Sequence, residues 1–304
     1  MRRRDVLRGS AALAGMLALA GGPPIPAFAQ ASMTLKVSDV HPPGYPTVAA
    51  VESFGKKLEQ ATNGRLTVQM FGSMQLGGEK EAIEQAQVGA LQMARVSVGA
   101  IGTELLDKVT ANEKAGLVGL CWMDAGARSF YNTKHPIKSI ADLKGLKVRV
   151  IGNPMFVDMA NALGANGVAM GYDQVFSALQ TGVIDGAENN PPSFVFDNHY
   201  QVAKNYTLTE HLIVPEILVF SRKSWDSLSK DDQALIKKFG GEAQAEERVL
   251  WAEYEKQAMD KARSGGVQIV ETIDKQPFQD AVKPVWDKYG PRFSELVKRI
   301  QAVS

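Results

Sequence analysis

Alternating strand-like and helical runs along 304 residues predict an α/β fold with largely parallel sheets. Two further observations support it: Gly closes most of the helical runs, as in "TNG", "ALG" and "QTG", and no internal repeat or low-complexity linker interrupts the pattern. A helix over about Thr47 to Ala61 precedes the strand "LTVQMF". "GEKEAIEQAQVGA" reads as helix, "LQMARVSV" as strand and "GTELLDKVTANEKAG" as helix. "GLVGLCWM", "GLKVRVIG" and "GVIDGAEN" are further strands, separated by the helices "NPMFVDMANALG" and "YDQVFSALQTG". From Lys223 to Ser264 a long helical stretch follows, with a kink expected at Gly240 and Gly241; the strand "VQIVETI" and a helix from Phe278 end the chain. A hydrophobic content of 45% suits one large or two medium cores. Two domains would be joined by crossing strands, because the sequence offers no tether.

The amino terminus follows a different logic. "MRRRDVLRGS" places four Arg ahead of the apolar run "AALAGMLALAGG", and "PPIPAFA" leads to a small-x-small site at Ala27 and Ala29. Residues 1–29 are therefore expected to be an export signal removed before Gln30 or nearby, the apolar run being too short to span a bilayer. The Arg pair before "DVL" resembles a twin-arginine signal, and three consecutive Arg leave the general secretion route open as well. Without that segment, 34 basic and 33 acidic residues become 30 and 32, so no basic excess favours nucleic acid or anionic lipid. Cys121 is the only cysteine, which excludes an internal disulfide, and its place in "GLVGLCWM" suggests a buried structural thiol.

Catalytic signatures are absent: there is no GxSxG, no phosphate loop, no GxGxxG after a strand and no HExxH, and the four His are scattered without metal-ligand spacing. No cofactor is implied. Arg149 is the most pointed residue, since Lys147 and Arg149 alternate with Leu146, Val148 and Val150. Its planar fork could hold a carboxylate through two charge-assisted bonds, or it could be a solvated charge on a surface strand. Arg128 in "DAGARSFYN" has the same two readings. In "TGVIDGAENNPPSF" Asn189 and Asn190 fall where a strand would end, and offer donors and acceptors suited to hydroxyls and carboxylates. The alternative there is a capped turn whose Asn side chains serve the backbone, with Pro191 and Pro192 stiffening the exit.

Taken together, "DLKGLKVRV", "ALGAN", "VAMGYDQVFSALQTGVIDGAENN" and the amino-terminal stretch from "YPTVAAVESFGKKLEQ" to "AQVGALQMA" closely resemble the DctP-like substrate-binding proteins of tripartite ATP-independent periplasmic (TRAP) transporters. The resemblance covers nearly all of the chain after the export signal. It implies a two-domain periplasmic binding protein with a ligand cleft between domains and a long helix spanning both. It also implies a monomer without enzymatic activity that delivers an organic acid to the permease subunits of a transporter. On this basis Arg149 is the carboxylate-binding arginine, Arg128 the second arginine of the site, Asn189 the asparagine after "DG-x-E" and Tyr172 an aromatic ring beside the ligand. The expected domains are residues 30–120 with about 205–225, residues 121–204 with about 265–304, and a helical segment over 226–264.

"SDVHPPGYPTV", "GLCWMDAGARSFYN" and "DGAENNPPSF" look most like the branch that binds sugar acids such as glucuronate and galacturonate. Glu79 and His41 would serve sugar hydroxyls, and Arg95 would line the cleft from the first domain. Glu79 has an alternative as a solvated residue of a helix first turn, and His41 as a turn residue before two Pro. A C4-dicarboxylate or aldonate is the competing ligand, and a periplasmic enzyme using Glu79 or Glu188 as acid or base is the competing class. One departure stands out: Ala100 runs directly into Ile101 and Gly102, where the resembled family carries a few dozen more residues. Its loss is expected to weaken the first domain and expose apolar surface, leaving open a non-functional relative or a ligand-free interaction partner.

Overall fold

The computed structural model describes residues 31–111 and 115–302; the expected export signal lies outside them. The chain begins with β1 (Met33–Ser38), α1 (Pro46–Ala61), β2 (Leu66–Phe71), α2 (Glu79–Val88) and β3 (Met93–Ser97). Two short helices, α3 (Val98–Ile101) and α4 (Thr103–Thr110), lead to β4 (Leu117–Met123) and then β5 (Ala127–Asn132). Next come β6 (Lys147–Val150), α5 (Pro154–Ala162), β7 (Asn166–Ala169), α6 (Val175–Thr181), β8 (Gly186–Asn189), α7 (Pro191–Phe196), α8 (His199–Val202) and β9 (Asn205–Ile213). The remainder is β10 (Glu216–Ser221), α9 (Arg222–Asp226), α10 (Lys230–Ser264), β11 (Gln268–Val270), α11 (Gln276–Ala281), α12 (Lys283–Tyr289) and α13 (Ser294–Gln301).

Two sheets result, ordered β2-β1-β3-β10-β4 and β11-β9-β5-β8-β6-β7. They are mixed and not largely parallel: β3/β10, β10/β4, β5/β8 and β5/β9 pair antiparallel. The reason is the crossing. β4 leaves the first sheet and enters the second through residues 124–126, and β10 returns after Val214 and Pro215, so each sheet receives a strand arriving from its partner. Sheet membership also divides the segment expected at about 205–225. Its first part, β9, pairs with β5 and β11 in the second sheet, and only β10 belongs to the first.

The long helix is continuous through both glycines, against the expected kink. Gly240 lies on Leu120 so closely that a Cβ there would come within 2.8 Å of its Cγ, so this glycine serves close packing and leaves the helix axis unbroken. The break falls earlier, between α9 and α10, where the Ser229 side chain accepts from the Asp232 N–H at 3.1 Å and starts a new helix. Ile236, Phe239 and Ala243 of α10 enter the core of the first sheet, and Ala258 and Ala262 enter that of the second, so one helix spans both. On the first sheet, α1 buries Val51, Phe54 and Leu58 at helical spacing, each stabilising by roughly 1.5–3 kcal/mol. Cys121 is buried in the same core, and burial pushes its thiol up to about 12, as suits a structural residue.

At the departure, Ser97 caps α3 by accepting from the Gly99 N–H, and Gly102 at φ +74° turns the chain directly into α4. Ile101 is buried, and Leu105 and Leu106 pack against the core behind β3. Among the described residues no exposed large hydrophobic falls between 98 and 111, so the expected apolar exposure at this junction is not found.

Glu247 sits fully buried on α10 facing the crossing, where its Oε2 accepts the Asp124 N–H at 2.9 Å. Burial pushes its carboxyl up to about 7, against the opposing effect of that hydrogen bond. Between the ordinary value near 4.5 and about 7 the folded chain keeps a proton that the unfolded chain has lost, so stability falls as pH rises through this window. The span corresponds to about 3 kcal/mol, lost in full above it. His199 and His211, which burial holds down at about 4, gain stability over part of the same window, so the reading is the difference: in urea unfolding at about pH 4.5 and about pH 8, wild type should lose about 3 kcal/mol relative to Glu247→Gln. Equal slopes would refute the assignment.

Candidate functional site

Strand ends from both sheets converge on one narrow cleft whose free interior is about 20 Å³, space for little more than one water, so the walls stand close together and a sugar-sized ligand requires them to part. All seven residues singled out from the sequence line it. From the first sheet come His41 after β1, Glu79 at the start of α2 and Arg95 on β3; from the second come Arg128, Arg149, Tyr172 and Asn189. Three guanidinium groups therefore face one small space, and their partners distinguish them.

Arg95 is buried and saturated. Its Nε donates to Asp39 Oδ2 at 2.9 Å, its Nη2 to Asp39 Oδ1 and its Nη1 to Glu216 Oε2, with Glu79 at 3.6 Å. Burial alone would lower its pKa, but Asp39 and Glu216 outweigh it and hold the group well above its ordinary value. Arg128 is likewise occupied: Nε and Nη2 donate to the Glu188 carboxylate at 2.5 and 2.9 Å, Nη2 also to the Glu188 carbonyl, and Nη1 to Asn189 Oδ1 at 2.7 Å. Burial again acts downward and Glu188 prevails.

Arg149 differs. It is 3% exposed, and its Nε and Nη2 donate only to the Met170 carbonyl, at 3.0 and 2.8 Å. Among the described residues no carboxylate forms an ion pair with it, and burial pushes its pKa down from the ordinary arginine value. The guanidinium stays charged regardless. Lys147 on the same strand face is exposed, so the reading of two solvated charges holds for Lys147 and fails for Arg149.

Asn189 ends β8 with its Oδ1 already accepting from Arg128 and from the Asn190 N–H at 2.9 Å, which leaves its amide donors for the cavity. Asn190 caps α7 instead, accepting from the Ser193 N–H at 2.7 Å, while Pro191 and Pro192 take the first helical positions, where no N–H is needed. The two adjacent Asn thus divide the two readings, one at the site and one at the cap. Glu79 is partly buried, its Oε1 accepting the Ser97 N–H at 2.7 Å, and burial pushes its carboxyl up; it is not a solvated first-turn residue. His41 is buried with its ring stacked on Tyr45 at 3.8 Å. Tyr172 lies with its ring 5.6 Å from the Arg149 guanidinium.

Sequence reasoning missed Asp39, Glu216 and Asp197, and treated Glu188 only as an acid or base of an enzyme. A signal existed for Glu216: a lone acid opening the apolar run "EILVF" must be paired if that run is buried. Glu188 is consumed by Arg128 and lacks the freedom of a proton-transfer group. Among the described residues no group of three or more His, Cys, Asp or Glu is arranged to hold a metal. A larger cavity under α11 and α12, lined by Phe156, Met159, Phe278, Val282 and Trp286, is mostly apolar; Glu210, His211 and Lys275 also line it, and none of the seven site residues does.

Comparison with known proteins assigns the lineage. The family model described as bacterial extracellular solute-binding protein, family 7 (DctP) matches residues 37–104 and 99–291. The chain belongs to the DctP family. A solute-binding protein of Chromohalobacter salexigens is 37% identical over 293 residues, covering 86% of this chain and 87% of its own. A TRAP periplasmic solute-binding protein from Pseudomonas putida F1, solved with bound D-glucuronate, is 47% identical at a TM-score of 0.85, covering 90% of this chain and 98% of that one. One from Bradyrhizobium, solved with galacturonate, is 42% identical at a TM-score of 0.83, covering 89% and 100%. The fold is that of these two-domain solute-binding proteins, and the DctP relatives are receptors of transporters. The family match falls in two pieces that meet at 99–104, where the sequence departs. With 86% of 304 residues taking part, about 261, roughly thirty of the 293 aligned positions in the Chromohalobacter protein have no counterpart here.

Removing Arg128 would strand Glu188 as an unpaired buried carboxylate, a loss of about 3–5 kcal/mol. Arg149→Met removes no carboxylate partner and should cost far less. Chemical denaturation of the two variants should rank them in that order; equal losses would mean that Arg149 is structural.

Proposed function

We propose that this chain is a periplasmic receptor that captures a hexuronate such as glucuronate or galacturonate and hands it to the permease subunits of a TRAP transporter, acting as a monomer and without chemistry of its own. The observation that carries this reading is how the arginines at the cavity are paired. Arg95 answers to Asp39, Glu216 and Glu79, Arg128 answers to Glu188, and among the described residues Arg149 has no acid in an ion pair with it. Arg149 offers one carboxylate a partner, and a second carboxylate would meet Glu79 and Glu216 on the cavity wall with no other unpaired arginine there to balance it. A monocarboxylate bearing hydroxyls matches these groups in chemistry: with the walls parted, its carboxylate pairs with Arg149, and its hydroxyls meet the Asn189 amide, Glu79 and His41. The ligands held by the Pseudomonas and Bradyrhizobium proteins are of this class. The Arg-rich amino terminus supports export, by the twin-arginine or general secretion route. Ligand binding between two sheets joined by short crossings favours a closed form, which the permease would recognise.

Isothermal titration should give saturable binding of glucuronate or galacturonate without turnover, and weak or no binding of succinate. Saturating ligand at about 100 times Kd should stabilise the fold by roughly 2.7 kcal/mol. Arg149→Ala should cost about 2–5 kcal/mol of affinity, and Asn189→Ala about 1–3 kcal/mol. Unchanged affinity in Arg149→Ala, or preference for succinate, would overturn the reading.

A further inference from the structure

Asp197 lies just past α7 and its carboxylate holds two groups of the cavity wall at once. Its Oδ2 is 3.0 Å from His41 Nδ1 and accepts from the Tyr172 hydroxyl at 2.5 Å. His41 belongs to the connection after β1 of the first sheet, whereas Tyr172 and Asp197 follow β7 and α7 of the second. The same carboxylate therefore ties the two sides of the cleft together. The side chains of His41 and Asp197 are only 5% and 11% exposed, so solvent competes little for these bonds.

The chemistry of the acceptor fixes the donors. An ionised carboxylate has no proton to give, so His41 must carry its proton on Nδ1 and turn Nε2 outward as an acceptor whenever the ring is neutral. Tyr172, whose phenol burial pushes well above its ordinary pKa, keeps its proton and spends it on Asp197. It then offers the cavity a fixed ring face and an oxygen lone pair. The His41 ring is also clamped by Tyr45, stacked at 3.8 Å, and its backbone N–H donates to Asp39 Oδ1 at 2.9 Å. The titratable groups near the pair are Asp39, Glu79 and Arg149, with His199 beside Asp197.

We propose that Asp197 is a positioning residue for ligand selection: by holding His41 in its Nδ1–H tautomer and Tyr172 against Arg149, it makes His41 Nε2 an acceptor for a sugar hydroxyl across the cleft from the carboxylate-binding guanidinium. The ligand part of this rests on the hexuronate reading. The tautomer part does not.

The test has two arms. In ligand-free wild type at mildly alkaline pH, long-range proton–nitrogen correlation spectra should show His41 Nδ1 protonated and Nε2 bare, the reverse of the usual preference of free imidazole. In Asp197→Ala that state should be lost, and hexuronate affinity should fall at least tenfold; Asp197→Asn, which keeps an acceptor oxygen, should restore part of both. The effect of Asp197→Ala should also shrink to less than twofold in a His41→Gln/Tyr172→Phe background, because Asp197 acts through those residues. A wild-type His41 protonated on Nε2 would overturn the proposal, as would undiminished affinity in Asp197→Ala or a full effect in the double-variant background. If wild type binds no hexuronate, the functional reading fails while the spectra still decide the tautomer.

Discussion

The pairing of buried guanidinium groups is the constraint on which the site depends. Arg95, Arg128 and Arg149 are 1%, 4% and 3% exposed, and charges taken out of water at this depth require partners. Two of them recruit acids from neighbouring strands, so that Asp39 after β1, Glu216 opening β10 and Glu188 on β8 are held in place as counter-charges. Those acids in turn fix where the strands end relative to one another. Arg149 is stabilised by one carbonyl and the face of Tyr172, an incomplete solvation that a bound carboxylate would complete.

This arrangement ties binding to the crossing of the chain between sheets. Glu216 of β10 neutralises an arginine of β3 in the first sheet, and β10 is reached directly from β9 of the second. α10 contributes to both cores, and its buried Glu247 accepts from the Asp124 N–H on the other crossing. Each passage between sheets thus carries a buried acid with a defined partner.

How much was legible in the sequence depended on whether a signal was local. Helix ends closed by Gly, the alternation around Arg149 and the cap-like "NNPP" are local, and they located α1, β6 and the turn after β8. The resemblance then overrode readings that spacing alone left open or leaned against, and all seven chosen residues line one cavity. What escaped was non-local. β5, "ARSFYN", carries a buried charge and two polar residues within a short run, so no alternation marks it; its strand state comes from pairing with β8 and β9. The mixed sheets follow from where β4 and β10 go, which no window of residues records. Asp197 follows a helix end without a motif, and its importance comes from His41, 156 positions away.

The junction between α3 and α4 bears on function through the same geometry. The two pieces of the family match overlap there, at residues 99–104. Yet every charged group at the cavity is supplied by an element on either side of that join: β3 and α2 before it, β5, β6, β8 and β10 after it. The junction itself is made by a capped turn, a glycine at positive φ and buried Ile101, and it leaves no large exposed hydrophobic among the described residues nearby. A deletion that removed a strand bearing Arg95 or Glu216 would strand a buried charge and unfold the site. The α3–α4 junction passes beside the ion-pair network, so the constraint that builds the cavity does not depend on its length.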